Sequence, residues 1–129
     1  MDMPNDTPAV AGMPRLLLRL EGGILLALAI FLYPKVADSW WPFAALILVP
    51  DLSFLGYLAG PRVGAWAYNA AHVTLGPIIL AVAGFLLPAL LLIAIAIIWL
   101  AHIGVDRMLG YGLKYEAGFG FTHLGRLGR

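Results

Sequence analysis

Two histidines and two aspartates stand within apolar stretches of the chain: Asp51 in Val49-Pro50-Asp51-Leu52, His72 in Asn69-Ala70-Ala71-His72, and the pair in His102-Ile103-Gly104-Val105-Asp106. Imidazole and carboxylate ligands with open positions suit divalent Zn, Mn or Fe. An ionisable group in an apolar span costs on the order of 2.5–3.5 kcal/mol, so each needs a partner, water or a ligand. His102 and Asp106, at i and i+4, share one helical face and can share one ion or one hydrogen bond. Tyr68 and Asn69 precede His72 by four and three residues, so either can bind one ring nitrogen and fix which nitrogen is left for a ligand. Pro50 and Pro77 each free a carbonyl four residues back, those of Leu46 and Val73, which is tolerated at membrane depth where backbone lines a polar cavity.

Four further residues belong to the same set. Glu21 is a candidate proton acceptor for an attacking water, although Arg15 and Arg19 flank it as they would in an interfacial ion pair. Arg107, with Lys114, can hold an anionic headgroup. His123, in Phe121-Thr122-His123-Leu124-Gly125, is either a last ligand folded over the site or an ordinary surface residue. The plainer reading of Asp51 and Asp106 is a structural salt bridge to Arg107, Arg62 or Arg19. That of each histidine is a helix-to-helix hydrogen bond.

The elements that carry these groups follow from composition. Of 129 residues, 62% are hydrophobic and 12% charged, against about 45–50% and about 25% in a soluble domain. An integral membrane protein is the consequence. The absence of cysteine excludes a disulfide framework, a thiolate metal site and a cysteine nucleophile, and a net charge of +1 lends nucleic-acid binding no support. Four apolar stretches, Leu16 to Tyr33, Trp40 to Gly60, Val63 to Leu87 and Pro88 to Leu109, are each near the ~20 residues a helix needs to cross hydrocarbon. Their joints are short enough only for antiparallel neighbours, so the expected fold is an all-α, four-helix transmembrane bundle running up-down-up-down.

Arg15, Arg19, Arg62, Arg107, Lys114, Arg126 and Arg129 fall on one side of such a bundle and Lys35 on the other, which places both termini in the cytoplasm. Trp40 and Trp41 mark the opposite interface. Residues 1–15 read as a disordered tail, 16–109 as the transmembrane domain, and 110–129 as a glycine-rich, irregular cytoplasmic segment. At a helical rise of about 1.5 Å per residue, Asp51, His72 and His102 lie ~13, ~13 and ~10 Å from the inner ends of their helices. Their depths match, and Glu21 and Asp106 enter from the same side. Gly60, Gly64, Ala67 and Ala71 form a small-residue stripe for close helix packing, with a homodimer as the other use.

The segments Pro50-Asp51-Leu52-Ser53, Gly56-Tyr57, Gly60-Pro61-Arg62-Val63-Gly64-Ala65, Tyr68-Asn69-Ala70-Ala71-His72, Trp99-Leu100-Ala101-His102-Ile103-Gly104-Val105-Asp106-Arg107, Gly110-Tyr111-Gly112-Leu113-Lys114-Tyr115 and Thr122-His123-Leu124-Gly125 resemble the domain-of-unknown-function 4260 family of small bacterial membrane proteins. The resemblance covers nearly all of the chain after Arg15. It implies a multi-pass protein of the bacterial inner membrane and carries no established activity. The order Pro-Asp, His, His-x-x-x-Asp is distantly similar to membrane-bound metal-dependent hydrolases of the bacterial damage-response regulon. Ser53 stands here in place of their second Asp, and Tyr68-Asn69 in place of their His-rich stretch.

A metal-dependent hydrolase acting on membrane lipids is the leading expectation, with His72, His102 and Asp106 as ligands, Asp51 completing the site or bridging a second ion, and Glu21 taking the proton. A haem protein with His72 and His102 as axial ligands is a second. An ion or proton carrier, or a structural accessory subunit, completes the alternatives.

Overall fold

A computed structural model describes residues 8–126 of the chain. Residues 1–7 of the expected tail, and the last three residues, lie outside the described part. Four helical spans are long and apolar enough to cross a membrane: Gly12–Lys35, Trp41–Ala59, Pro61–Leu86 and Leu90–Leu109. The bundle is the expected all-α one, and its spans make the chain a multi-pass membrane protein. Large apolar side chains such as Phe31, Leu58, Trp66, Phe85 and Leu91 stand exposed around it, as suits a protein whose surroundings are hydrocarbon.

The first helix, α1 (Gly12–Leu32), begins four residues before the expected Leu16 and tightens into a 3-10 turn, Tyr33–Lys35, at Pro34. It packs along the last helix, α5 (Leu90–Leu109). The two approach most closely where Gly22 meets Gly104, since a Cβ on Gly104 would stand 2.8 Å from the Gly22 carbonyl oxygen and from the Leu26 nitrogen. Without a competing hydrophobic drive in lipid, such small-residue crossings are what brings helices together. Ala29, Tyr33, Ala94, Ile97, Ile98 and Ala101 form the buried core beside it.

The two middle spans are not continuous α-helices, and this is where the structure departs from the expected Trp40–Gly60 and Val63–Leu87. The second begins as α2 (Trp41–Leu46) and continues as a 3-10 helix, Val49–Ala59. Pro50 has no N–H for the Leu46 carbonyl, and the Asp51 N–H bonds the Leu48 carbonyl at 3.0 Å rather than that of Ile47. The third runs as α3 (Pro61–His72), breaks at the extended residue Val73, and resumes as α4 (Leu75–Leu86), ahead of Pro77. A turn at residues 87–89 then leads into α5.

The small-residue stripe is used inside the chain. Gly64 packs against the Tyr57 ring, and a Cβ on Gly56 would meet that of Ala67 at 2.7 Å, so α3 and the 3-10 helix lie close together. The start of α1 and the C-terminal segment meet at one end of the bundle: the Val10 N–H donates to the His123 carbonyl at 2.8 Å, and the Arg15 guanidinium donates to the Leu124 carbonyl. Residues 110–126 are more ordered than the expected irregular segment. Gly110 ends α5 in the left-handed conformation (φ 91°). Tyr111 N–H bonds the Asp106 carbonyl at 2.7 Å and Gly110 N–H that of Arg107 at 3.1 Å, a Schellman motif that turns the chain back across the bundle. A small hairpin follows, β1 (Phe121–Thr122) with β2 (Gly125–Arg126), and Lys114 bridges to Thr122.

Candidate metal centre

The breaks in the middle spans release backbone carbonyls at the depth of the polar residues, and α5 supplies donors to them. His102 Nδ1–H donates to the Ile47 carbonyl at 2.6 Å, the acceptor freed when Asp51 N–H turns to Leu48. Trp99 Nε1–H donates to the Ala71 carbonyl at 2.6 Å, and Arg107 donates to the His72 carbonyl at 2.9 Å. His72 Nδ1–H donates to the Tyr68 carbonyl at 2.8 Å. A carbonyl can only accept, so in each imidazole Nδ1 carries the proton and Nε2 of the neutral ring presents a lone pair.

Those two lone pairs converge. His72 Nε2 and His102 Nε2 are 3.1 Å apart. Asp51 Oδ1 lies 3.2 and 3.1 Å from them, and Asp106 Oδ2 lies 3.4 and 3.3 Å from them. All four ligand atoms lie within 4.8 Å of one another, and the group could hold a metal ion. For metal–ligand bonds of about 2.0–2.1 Å, the edge of a tetrahedron is about 3.3 Å. Both imidazoles are buried, and Asp51 is the most open of the four, its side chain one-third exposed. The 3-10 rise of about 2.0 Å per residue carries Asp51 about 16 Å from Ala59, deeper than a helical rise implies, and this brings it level with His72.

Tyr68 supports His72 through atoms other than the expected ones. Its carbonyl takes the ring proton, its ring stacks on the imidazole at 3.7 Å between centroids, and its hydroxyl donates to Asp106 Oδ2 at 3.4 Å. Among the described residues Asn69 makes no hydrogen bond to the His72 ring. Its side-chain amide donates to the Lys114 carbonyl at 2.8 Å and its oxygen accepts the Lys114 N–H at 2.7 Å, clamping the C-terminal segment over the site.

Glu21 stands exposed on α1, outside the four-residue group. Arg107 is committed to the His72 carbonyl. Among the described residues neither aspartate forms an ion pair with an arginine: Arg62 pairs with Glu116 at 3.6 Å, and Arg19 donates to the Met108 carbonyl at 2.9 Å. Nor do the two imidazoles suit a haem, whose axial ligands need a macrocycle between them, because here their nitrogens touch one shared space with two carboxylates. Sequence reasoning missed Trp99 and the Ile47 carbonyl. Pro50 was the available signal for a freed carbonyl, but it pointed to Leu46.

His123 does not join the four ligand atoms either. Its Nδ1 accepts the Leu113 N–H at 2.9 Å, and its own N–H donates to the Leu113 carbonyl at 3.0 Å. Burial holds its pKa below the ordinary value, and the charge of Arg107 acts in the same direction. The unfolded chain therefore takes up a proton near 6.5 that the folded segment resists, so the stability of this clasp declines as pH falls below that value. Trp66, whose Nε1–H donates to Glu116 at 2.7 Å, reports the state of the segment. Its fluorescence is expected to change as pH falls below about 6.5, and His123→Gln, which keeps an acceptor without a titrating ring, is expected to remove the change.

The four carbonyl acceptors and four converging ligand atoms define a class: a small four-span membrane protein with a two-histidine, two-aspartate group built on broken helices. A family model described as a domain of unknown function, DUF4260, matches residues 15–127. The chain belongs to that family. No curated protein and no solved structure matches it.

Proposed function

We propose that Asp51, His72, His102 and Asp106 hold a divalent transition metal, Zn, Mn or Fe, and that the protein is a metal-dependent hydrolase acting on a lipid-like substrate. One observation carries the reading. Four acceptor atoms face each other at 3.1–3.4 Å over five of their six separations, while both Nδ1 atoms are tied to carbonyls. Four lone-pair donors do not converge in a low-dielectric interior without a cation between them.

A divalent ion there supplies Lewis acidity and a nucleophilic water at neutral pH. The chain's own residues do the rest. The Asp51 carboxylate, the most exposed of the four, borders a cavity; with Oδ1 turned to the ion, its other oxygen would take the place of the exposed Glu21 as acceptor of the proton of the attacking water, whose oxygen bonds to the electrophilic centre as the leaving oxygen takes that proton. With both termini in the cytoplasm, as the seven-to-one split of basic residues favours, the site opens to the inner leaflet of a bacterial inner membrane.

The test is elemental analysis of detergent-purified protein after equilibration with Zn²⁺, Mn²⁺ and Fe²⁺, followed by ester hydrolysis with and without chelator. One retained equivalent of metal and chelator-sensitive turnover are expected. Metal-free protein with the cluster intact would favour a proton held on one Nε2 between the carboxylates, making the group a relay instead.

A further inference from the structure

The metal group opens on one side to a cavity of about 270 Å³, lined by Asp51, Asp106, Tyr111, Lys114, Phe54 and Phe119. With water at about 30 Å³ each, that is room for a phosphoryl group and several waters. Lys114 is buried at 5% exposure. Its Nζ lies 3.8 Å from the Phe119 ring centroid and 4.6 Å from that of Tyr68, and donates to the Phe119 carbonyl at 2.9 Å. An ammonium has three donors, of which one is bound. Among the described residues no carboxylate lies within ion-pairing distance of it, although Asp106 and Asp51 act on it through space. Burial pulls its pKa down to about 8, against the pull of those carboxylates.

The charges are unequal once a metal is present. Two carboxylates balance Lys114 and Arg107, so a divalent ion leaves two positive charges uncompensated in a region of low dielectric. A phosphate monoester dianion cancels both, whereas a single carboxylate cancels one.

Resting on the metal-site reading above, we propose that this cavity binds a phosphoryl group, held between the metal and the ammonium of Lys114. The phosphoryl can belong to soluble phosphate or to a lipid headgroup, and a second feature separates the two. Behind Pro50 and Ala71, the chain neighbours of Asp51 and His72, lies an apolar groove of about 360 Å³ lined also by Leu46, Leu80, Ile95 and Trp99. It has the chemistry of an acyl-chain slot.

The experiment loads the detergent-purified protein with Mn²⁺, follows uptake by electron paramagnetic resonance, and measures paramagnetic relaxation of ³¹P in inorganic phosphate and, separately, in dihexanoyl phosphatidic acid. Relaxation of at least one probe is expected, with affinity about 10- to 100-fold weaker in Lys114→Met, unchanged Mn²⁺ uptake in that variant, and recovery in Lys114→Arg. Leu80→Phe, which narrows the groove, weakens phosphatidic acid alone if the source is a lipid and neither probe if it is soluble phosphate. Mn²⁺ uptake without relaxation of either probe, or a Lys114→Met variant that binds like the parent, overturns the phosphoryl site. Failure to take up Mn²⁺, Zn²⁺ or Fe²⁺ overturns the metal reading itself, so the two failures are read apart.

Discussion

Changing either His72 or His102 to alanine is expected to lower affinity for a divalent metal by more than about 100-fold, beyond the 10–100-fold that loss of an outer partner costs. Each ring contributes a ligand nitrogen and also carries a hydrogen bond to a backbone carbonyl, that of His72 within α3 and that of His102 across to the broken second span. His72→Ala removes one of the two rings stacked on Tyr68, and His102→Ala leaves the Ile47 carbonyl without its donor. Misfolding could mimic such a loss, so the comparison includes Asp51→Asn. In the metal-free protein the carboxylate faces two lone pairs, and an Asn NH₂ there becomes a donor to them. The metal-free variant should therefore unfold at equal or higher temperature than the parent, by about 0.5–1.5 kcal/mol for the hydrogen bond gained, while its metal affinity falls. Opposite signs of these two effects mark a metal site. If both fall together, the histidines are imidazolium partners of the aspartates, and the cluster is an ion-pair network.

Pro50→Ala is expected to weaken metal binding by about 10- to 100-fold, the cost of disturbing groups one step outside the ligands, although residue 50 touches no ligand atom directly. Alanine restores an N–H for the Leu46 carbonyl and has the higher helix propensity, which favours extension of α2 at the expense of the 3-10 helix. Asp51 N–H then returns to the Ile47 carbonyl, His102 competes for its acceptor, and the Asp51 carboxylate rotates and retreats, because an α-helix rises less per residue than a 3-10 helix. Far-ultraviolet circular dichroism should show helicity kept or raised while metal affinity drops. An unchanged affinity would mean that the 3-10 geometry of Val49–Ala59 has no part in building the site.

The same 3-10 geometry explains how the C-terminal segment comes to cover the site. With three residues per turn, Asp51, Phe54 and Tyr57 share one face. Phe54 stacks on Tyr68 at 5.3 Å, and Phe54 and Tyr57 both meet Phe119 at 5.3 and 5.4 Å. One face thus presents the ligand first and the aromatic seat of the segment beyond it. The Asn69 clamp and the Trp66–Glu116 bond hold the segment from the α3 side.

Composition and periodicity were enough to determine four spans, their antiparallel order and the meeting of Asp51, His72, His102 and Asp106, because each rests on a local cost: an apolar run needs lipid, and a charge within it needs company at its own depth. Tertiary structure alone decided which atoms do the holding. Tyr68 serves through its carbonyl and ring, Asn69 and His123 bind the covering segment, Glu21 faces outward, and Ile47 lends a carbonyl that no side-chain pattern announces. A backbone acceptor becomes free only when a particular hydrogen bond shifts from four residues to three, and that choice depends on donors arriving from α5, far away in the chain.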